Sequence, residues 1–459
     1  MNNYDVVIIG AGQAALPLAR KLADKGRSVA IAERKHLGGS CVNFGCTPTK
    51  AVVASARVAH LARRAAEFGI SVSTVKADFP KVLERARAIV RASQEGIASS
   101  LKEHGVEVLC GHARLTGRDG SGFVLELDGQ TFRAKDVVIN TGARTVLPPI
   151  EGLSTVEYLH AGNWLRCHKL PKHLIFAGAG AIGLEMAQFY RRMGAEVTVV
   201  GNGSQIAAQE DSEVAQALQA ILEKEGIAFR LNSRLKAVAN DPVGVRVIIQ
   251  SAEKEESITG SHLFLATGRQ PNTDDLGLDV IGVRIGQKGA IQVDERLATD
   301  VPGVWVAGDA RGGPMFTHTS WDDHLILESQ LLGDGSRTTT GRIVPYGIFT
   351  DPELGRVGMS EEEARRAHGS QIKVATFDMK SSGKANEQGE TQGFIKLIAD
   401  IRDKRLLGAA VLAVEGAELV ASCITLMNAG APLDRIRDGI YIHPTLSEAM
   451  QSAVVALNL

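Results

Sequence analysis

Two copies of one strand-turn-helix pattern limit what this chain can fold into more than any other feature. Tyr4-Asp5-Val6-Val7-Ile8-Ile9 reads as a buried parallel strand that runs into Gly10-Ala-Gly12-Gln-Ala-Ala15 and a helical stretch from Leu16 to Lys25. A second strand, Ser28 to Ala32, ends at Glu33, close to the roughly 20-residue offset at which a dinucleotide-binding βαβ unit places an acidic residue. The pattern returns as Leu174-Ile-Phe-Ala177, then Gly178-Ala-Gly180-Ala-Ile-Gly183, a helix through Met193 and a strand from Glu196 to Val200. One glycine-rich turn is a weak signal, but two in full strand-turn-helix-strand context predict two Rossmann-like folds and two dinucleotides, a flavin and a nicotinamide.

A second echo marks where each fold closes. Val137-Val-Ile-Asn-Thr141-Gly142 and Leu263-Phe-Leu-Ala-Thr267-Gly268 both end an apolar strand in Thr-Gly before a polar turn. Pro148, Pro149 and Gly152 mark the crossing into the second fold, and Gly268 to Asn272 the return. After Asp309 a helical stretch runs to Leu332, followed by a Gly/Ser/Thr-rich linker at 333–341. The expected organisation is an α/β chain with an FAD-binding and central domain at 1–148 and 268–341. An NAD(P)-binding domain at 149–267 and a C-terminal α+β domain at 342–459 complete it. A chain of 459 residues with 44% hydrophobic content supplies several cores.

A formal net charge of −1, with both signs spread along the chain, argues against nucleic-acid or membrane-surface partners and for small-molecule chemistry. The start of the chain shows no basic leader and no run of about 18 apolar residues occurs, so a cytoplasmic location is expected. Five cysteines are too few for a disulfide scaffold, and in a reducing compartment a close pair points to catalysis or metal binding.

That pair is Cys41 and Cys46, in Gly38-Gly39-Ser40-Cys41-Val42-Asn43-Phe44-Gly45-Cys46-Thr47-Pro48-Thr49-Lys50. In a regular helix such thiols would sit about 140° apart with Cα atoms roughly 8 to 9 Å from each other, beyond the roughly 7 Å reach of a disulfide. A bond between them requires a distorted turn, which Gly45 permits. Thr47 and Pro48 suit the N-cap and first position of a following helix that runs towards Glu67. Cys110, Cys167 and Cys423 are scattered and read as small core residues.

This segment resembles the redox motif of the flavoprotein disulfide reductases, which include glutathione reductase, dihydrolipoamide dehydrogenase and mercuric reductase, and the similarity extends over essentially the whole chain. The resemblance implies an FAD domain with an inserted NAD(P) domain, and a C-terminal domain that makes a homodimer with an active site shared between subunits. It implies Cys41 as the thiol that attacks the substrate disulfide and Cys46 as the thiol against the flavin. Lys50 is then the lysine near the flavin, paired with Glu185, and Asp309 the carboxylate on the FAD ribityl chain. Gly10, Gly12, Ala15, Glu33, Gly39, Thr141, Gly142 and His318 complete the expected FAD contacts, although His318 reads equally well as a structural hydrogen-bonding residue. Gly178, Gly180, Gly183, Gly201, Asn202 and Gly268 are the expected NAD(P) contacts. No metal site is expected.

His443-Pro444-Thr445-Leu446-Ser447-Glu448 reads locally as a helix start with a Thr445-x-x-Glu448 capping box. The resemblance implies instead that His443 is the acid/base for the interchange thiol and Glu448 orients its imidazole. The nicotinamide signature departs from pattern. Gly201 stands where an NAD enzyme carries an acid, and no arginine occurs between Gly201 and Gln209 to hold a 2′-phosphate, so NADH and NADPH both remain open. A mercuric-reductase-like metal-ion or quinone reductase is a second reading, weakened by the lack of a cysteine after Cys423 and by the presence of His443. A non-enzymatic redox sensor is a third, and it leaves the acid/base pair without a purpose. The leading expectation is a disulfide or dithiol substrate of lipoamide or low-molecular-weight type.

Overall fold

The computed structural model describes residues 2–252 and 254–459. Strand Asn2–Ile9 lies inside a seven-stranded sheet, parallel to Val29–Glu33 on one side and Gln130–Ile139 on the other. Glu107–Cys110 extends the first flank, and Val304–Val306 pairs in parallel with the end of Gln130–Ile139. The start of that strand pairs antiparallel with Gly122–Leu127, which pairs with Ala113–Asp119, so one strand belongs to both a nucleotide-type sheet and an antiparallel meander. The plan repeats downstream. Ile227–Arg230, Glu196–Val200, His173–Ala177, His262–Leu265 and Tyr158–His160 form a five-stranded parallel sheet, with a meander of Arg234–Asp241, Gly244–Gln250 and Glu255–Gly260 beside it.

Both parallel sheets are covered by helices, which explains their unbroken apolar strands: Val7, Ile8, Ile175 and Phe176 are all fully buried. The turn after each central strand needs a glycine for the same reason. Gly10 (φ +97°) and Gly178 (φ +116°) pass directly over the end of a neighbouring strand, where an added Cβ would lie 2.5 Å from Asn140 O and 2.3 Å from Ala266 O. The chain crosses between the two sheets through a two-stranded ribbon, Ala143–Thr145 against Arg269–Pro271.

The C-terminal region is a five-stranded antiparallel sheet, ordered Tyr346–Ile348, Glu353–Gly358, Leu406–Ala413, Phe394–Asp400 and Ile372–Asp378. Several short helices pack on it, where the sequence pattern led us to expect only two amphipathic stretches. Its docking against the second parallel sheet is ionic as well as apolar. Arg192, on helix Ala181–Met193, pairs with Glu225 at 2.7 Å and Asp351 at 2.6 Å; Arg57 from helix Cys46–Arg63 also binds Asp351. Among the described residues, no helix is long and apolar enough to cross a membrane.

Local boundaries differ from the sequence reading around the cysteines. The helix begins at Cys46 rather than after a Thr47 cap, and it ends at Arg63, with a 3₁₀ turn Ala65–Phe68 continuing the chain. Thr47 and Pro48 therefore lie inside the first turn, where the missing proline N–H is still harmless. Cys167 and Cys423 are buried, whereas Cys110 is exposed, because it ends the outermost strand of its sheet.

Candidate active site

Cys41 sits in the short helix Gly39–Asn43, and the chain then reverses within two residues. The N–H groups of Phe44 and Gly45 both donate to Ser40 O, at 2.9 and 2.7 Å. A Cβ on Gly45 would lie 3.1 Å from Ser40 O and 3.4 Å from Cys41 Cα, so glycine lets the turn close this tightly. The buried Asn43 amide donates to Leu37 O and Gly39 O, and Trp164 Nε1 donates to Phe44 O at 2.9 Å, so the loop is held from both sides. The turn brings Cys46 back against Cys41, and the two free thiols hydrogen-bond each other.

The pair is electrically asymmetric. The hydrogen bond from Cys41 lowers the Cys46 thiol to about 6, with the Thr317 hydroxyl and the Lys50 charge acting in the same direction and burial and Glu185 opposing. Its place as first residue of an 18-residue helix adds the positive end of the helix dipole. The same contact and burial push Cys41 upward. The first thiolate of the reduced pair is therefore Cys46, and Cys41 keeps its proton until a base removes it.

Lys50 lies one turn further along this helix. Its Nζ is 2.9 Å from Glu185 Oε2 and 4.2 Å from the centroid of the Phe349 ring. The other Glu185 oxygen accepts the Phe349 N–H at 2.9 Å. Glu185 is only 5% exposed, so this is a satisfied buried carboxylate, and the structure brings Lys50 and Glu185 together with the cysteine helix.

The first glycine turn and the cysteine loop form one cradle of bare backbone. A Cβ on Gly39 would lie 3.1 Å from Gly12 Cα, and one on Gly12 would lie 2.5 Å from Asn140 Oδ1. Ala15 N donates to that same oxygen at 3.2 Å, and Asn140 Nδ2 donates to Ala307 O at 2.8 Å. Glu33 accepts the N–H groups of Ala11, Lys35 and His36, so its carboxylate braces its own turn. Gly10, Glu33 and Thr141 line a cleft that also reaches Gly111 and Arg144. Thr141 Oγ1 donates to Asn272 O at 2.6 Å, and Gly142 turns the chain at φ +68°. Asp309, its carboxyl pushed up by burial against the opposing pull of Arg269, pairs with Arg269 at 2.9 Å. The same guanidinium reaches Ser40 Oγ and Ala143 O. This cradle, with side chains excluded from Gly10 and Gly12 and a carboxylate at each end, fits an FAD. His318 Nε2 is hydrogen-bonded to Pro345 O at 2.6 Å and its ring stacks on Phe316, contacts of the structural kind that the sequence also allowed.

In the second cradle Gly178, Gly180 and Gly183 surround the start of helix Ala181–Met193, with a Gly183 Cβ position 2.3 Å from Gly178 O. A Cβ on Gly201 would lie 3.1 Å from both Ala179 Cβ and Leu231 Cδ2, so small size is demanded there by packing. Exposed Asn202 follows in a loop fastened by Asn232 N to Gly203 O and Ser233 N to Gly201 O, both 2.9 Å. Gly268, at φ +102°, leads into the crossing ribbon, its carbonyl accepting Val146 N–H.

Among the described residues, the hydrogen bonds of His443 and Glu448 are local to their own segment. Nδ1 of His443 lies 3.1 Å from both Glu448 oxygens, and Thr445 N donates to Glu448 at 3.0 Å. Only the carboxylate half of the expected capping box forms; the Thr445 hydroxyl makes no hydrogen bond, and the helix starts at Ser447. The His443 side chain is 80% exposed, beside exposed Ile440 and Ile442.

Residues 4–323 match the pyridine nucleotide-disulphide oxidoreductase family, and residues 344–454 match its dimerisation domain. The chain belongs to the pyridine nucleotide-disulphide oxidoreductase family. It is 33% identical over 455 residues to the probable pyridine nucleotide-disulfide oxidoreductase RclA of Escherichia coli, covering 98% of each chain. It is 33% identical over 462 residues to dihydrolipoyl dehydrogenase of Thermus scotoductus, covering 100% of this chain and 98% of that one. Mercuric reductase of Streptomyces lividans is 32% identical over 455 residues, 98% of this chain and 95% of the relative. A solved structure of the HOCl-induced flavoprotein disulfide reductase RclA from E. coli superposes with a TM-score of 0.89 at 33% identity, covering 98% of this chain and 99% of that one. As a member of the pyridine nucleotide-disulphide oxidoreductase family, the protein is an FAD- and NAD(P)H-dependent flavoprotein disulfide oxidoreductase with two Rossmann-like folds and a dimerisation domain.

Three residues of the site escaped the sequence reading. Asn140 lies in the first Thr-Gly segment and Arg269 directly follows the second, so a signal was present there. Thr317 had none, being one polar residue beside a more conspicuous histidine.

Proposed function

We propose that the protein carries two electrons from NAD(P)H through FAD and the Cys41–Cys46 pair to a small disulfide of lipoamide or low-molecular-weight thiol type. What supports this best is the unequal thiol pair: Cys46 is held as a thiolate beside Lys50 at a helix start, while Cys41 is kept protonated by the same contact. Bound FAD supplies hydride acceptance and electron passage to the cysteine disulfide. Gly10, Gly12, Glu33, Gly39, Thr141 and Asp309 hold it, and the Lys50–Glu185 pair places a fixed positive charge near Cys46. Residues 149–267 form the NAD(P)-binding unit, inserted between 1–148 and 268–341.

In the outgoing half-reaction a base removes the Cys41 proton, and the Cys41 thiolate attacks one sulfur of the substrate, forming a mixed disulfide and releasing one thiolate. The Cys46 thiolate then attacks Cys41 Sγ, closing the Cys41–Cys46 disulfide and releasing the second thiolate. His443 is the base, and as imidazolium it returns the proton to the leaving thiolate; Glu448 on Nδ1 leaves Nε2 for that exchange. Since His443 projects from the surface of the dimerisation domain, it serves the thiols of the partner subunit in a homodimer. A cytoplasmic location suits a pair that must remain reducible.

The test is anaerobic titration of the purified protein with NADH and, separately, NADPH, following visible absorbance in wild type and Cys46→Ser. A long-wavelength band of thiolate against oxidised flavin is expected in wild type and absent from the variant. Identical bleaching in both would refute the reading. Turnover of lipoamide, glutathione disulfide and cystine by the same preparation then identifies the substrate.

A further inference from the structure

Thr317 is the first residue of helix Thr317–Leu332, a different element from the cysteine helix Cys46–Arg63. Its Oγ1 is 3.2 Å from Cys46 Sγ. The helix holds it firmly: Ser320 N–H and Thr319 Oγ1 both donate to Phe316 O, fixing the turn on either side of Thr317.

We propose that Thr317 is the third member of the redox centre, its hydroxyl donating to the Cys46 sulfur when that sulfur is a thiolate and so favouring the reduced form of the pair. A thiolate has lone pairs and no proton, so opposite Cys46 in that state the hydroxyl can only donate. In the disulfide state Cys46 carries no charge and the contact weakens to that of a neutral acceptor. The gain is thus confined to the reduced state, which raises the reduction potential of the pair and holds the first ionisation on Cys46. The other groups facing Cys46 are Cys41 in its own loop, Lys50 on its own helix and Glu185 on helix Ala181–Met193. Lys50 and Glu185 oppose each other there, which leaves the hydroxyl a clear share of the outcome. The inference rests on the proposed function, since it assumes that Cys46 faces the flavin.

The test compares wild type, Thr317→Val and Thr317→Ser holoenzymes. Valine keeps the shape of threonine and removes only the hydroxyl, and serine restores it. After anaerobic reduction by NADH, the pH midpoint of the long-wavelength band and the pH dependence of cysteine alkylation by iodoacetamide are both measured. We expect both midpoints to rise by about one pH unit in Thr317→Val and to return in Thr317→Ser. The two-electron potential of the pair should move about 30 mV more negative in Thr317→Val, the equivalent of that tenfold change. Unchanged midpoints in Thr317→Val, or equal shifts in the valine and serine variants, would overturn the role of the hydroxyl while leaving the proposed function intact. A wild type that develops no band would instead remove the proposed function and this inference with it.

Discussion

Replacing Gly12 by alanine tests whether the first cradle is built as described. The added methyl would lie 2.5 Å from Asn140 Oδ1 and 3.4 Å from Asn140 O. It cannot be absorbed by a swinging side-chain tip, because the Asn140 amide is buried and committed at both ends, to Ala15 N and Ala307 O. If the amide moves, a buried donor or acceptor loses its partner, at about 1 to 3 kcal/mol. If the turn moves instead, overpacking costs a further 1 to 3 kcal/mol, roughly, and the backbone leaves the position in which it cradles a pyrophosphate. About 3 kcal/mol expressed in binding is on the order of a hundredfold in affinity. The assay is FAD stoichiometry after gel filtration, with the dissociation constant taken from flavin fluorescence on rebinding. A Gly12→Ala protein that keeps full FAD and rebinds it within a factor of about three of wild type would show that the turn at Gly12 does not carry the cofactor.

Other outcomes follow from the same geometry. Gly96→Ala is the matched control: Gly96 lies exposed within helix Phe79–Glu103 with open space around its Cβ position, so stability should rise by about 0.5 to 1 kcal/mol in urea unfolding, without change in FAD content. Arg192→Met leaves Glu225 and Asp351 short of a buried cation; since Arg57 still serves Asp351, the loss should fall near the lower end of about 3 to 5 kcal/mol, read as a lower urea midpoint. The reduced pair should also make stability depend on pH. Cys46 ionises near 6 in the folded protein against roughly 8.5 unfolded, so its contribution is present above the unfolded value and is lost as pH falls through about 6. Urea midpoints of the reduced protein should accordingly fall as the pH drops from about 8.5 to about 6, relative to Cys46→Ser, in which this slope is absent.

The site was legible in the sequence wherever a function demands a local backbone shape. Gly10 and Gly178 were found because a turn over a neighbouring strand excludes a Cβ, and Gly45 because two thiols five positions apart cannot meet on a regular helix. Where local and distant demands compete, local reading failed. Thr445 and Glu448 have capping-box spacing, yet only half the box forms: the carboxylate accepts Thr445 N–H and also takes His443, while the Thr445 hydroxyl takes nothing. The helix start at Cys46 rather than Thr47 has a similar origin: closing the thiol loop puts Gly45 at the helix end, and the helix begins as soon as the turn is complete.

Sequence alone determined the two βαβ units, their glycine turns and the reversal that pairs Cys41 with Cys46, because these depend on sterics within a few residues. Only the tertiary structure decided what surrounds the sulfurs. Lys50 meets Glu185, Phe349 closes on that carboxylate, Arg269 links Ser40 to Asp309, and Thr317 reaches Cys46 across 271 residues of chain. None of these contacts leaves a periodicity or spacing to read. They exist because distant elements converge: helix Ala181–Met193 packs on the cysteine helix, helix Thr317–Leu332 begins beside Cys46, and the ribbon strand Arg269–Pro271 passes between Ser40 and Asp309; such convergence is a property of whole elements rather than of any short stretch of residues.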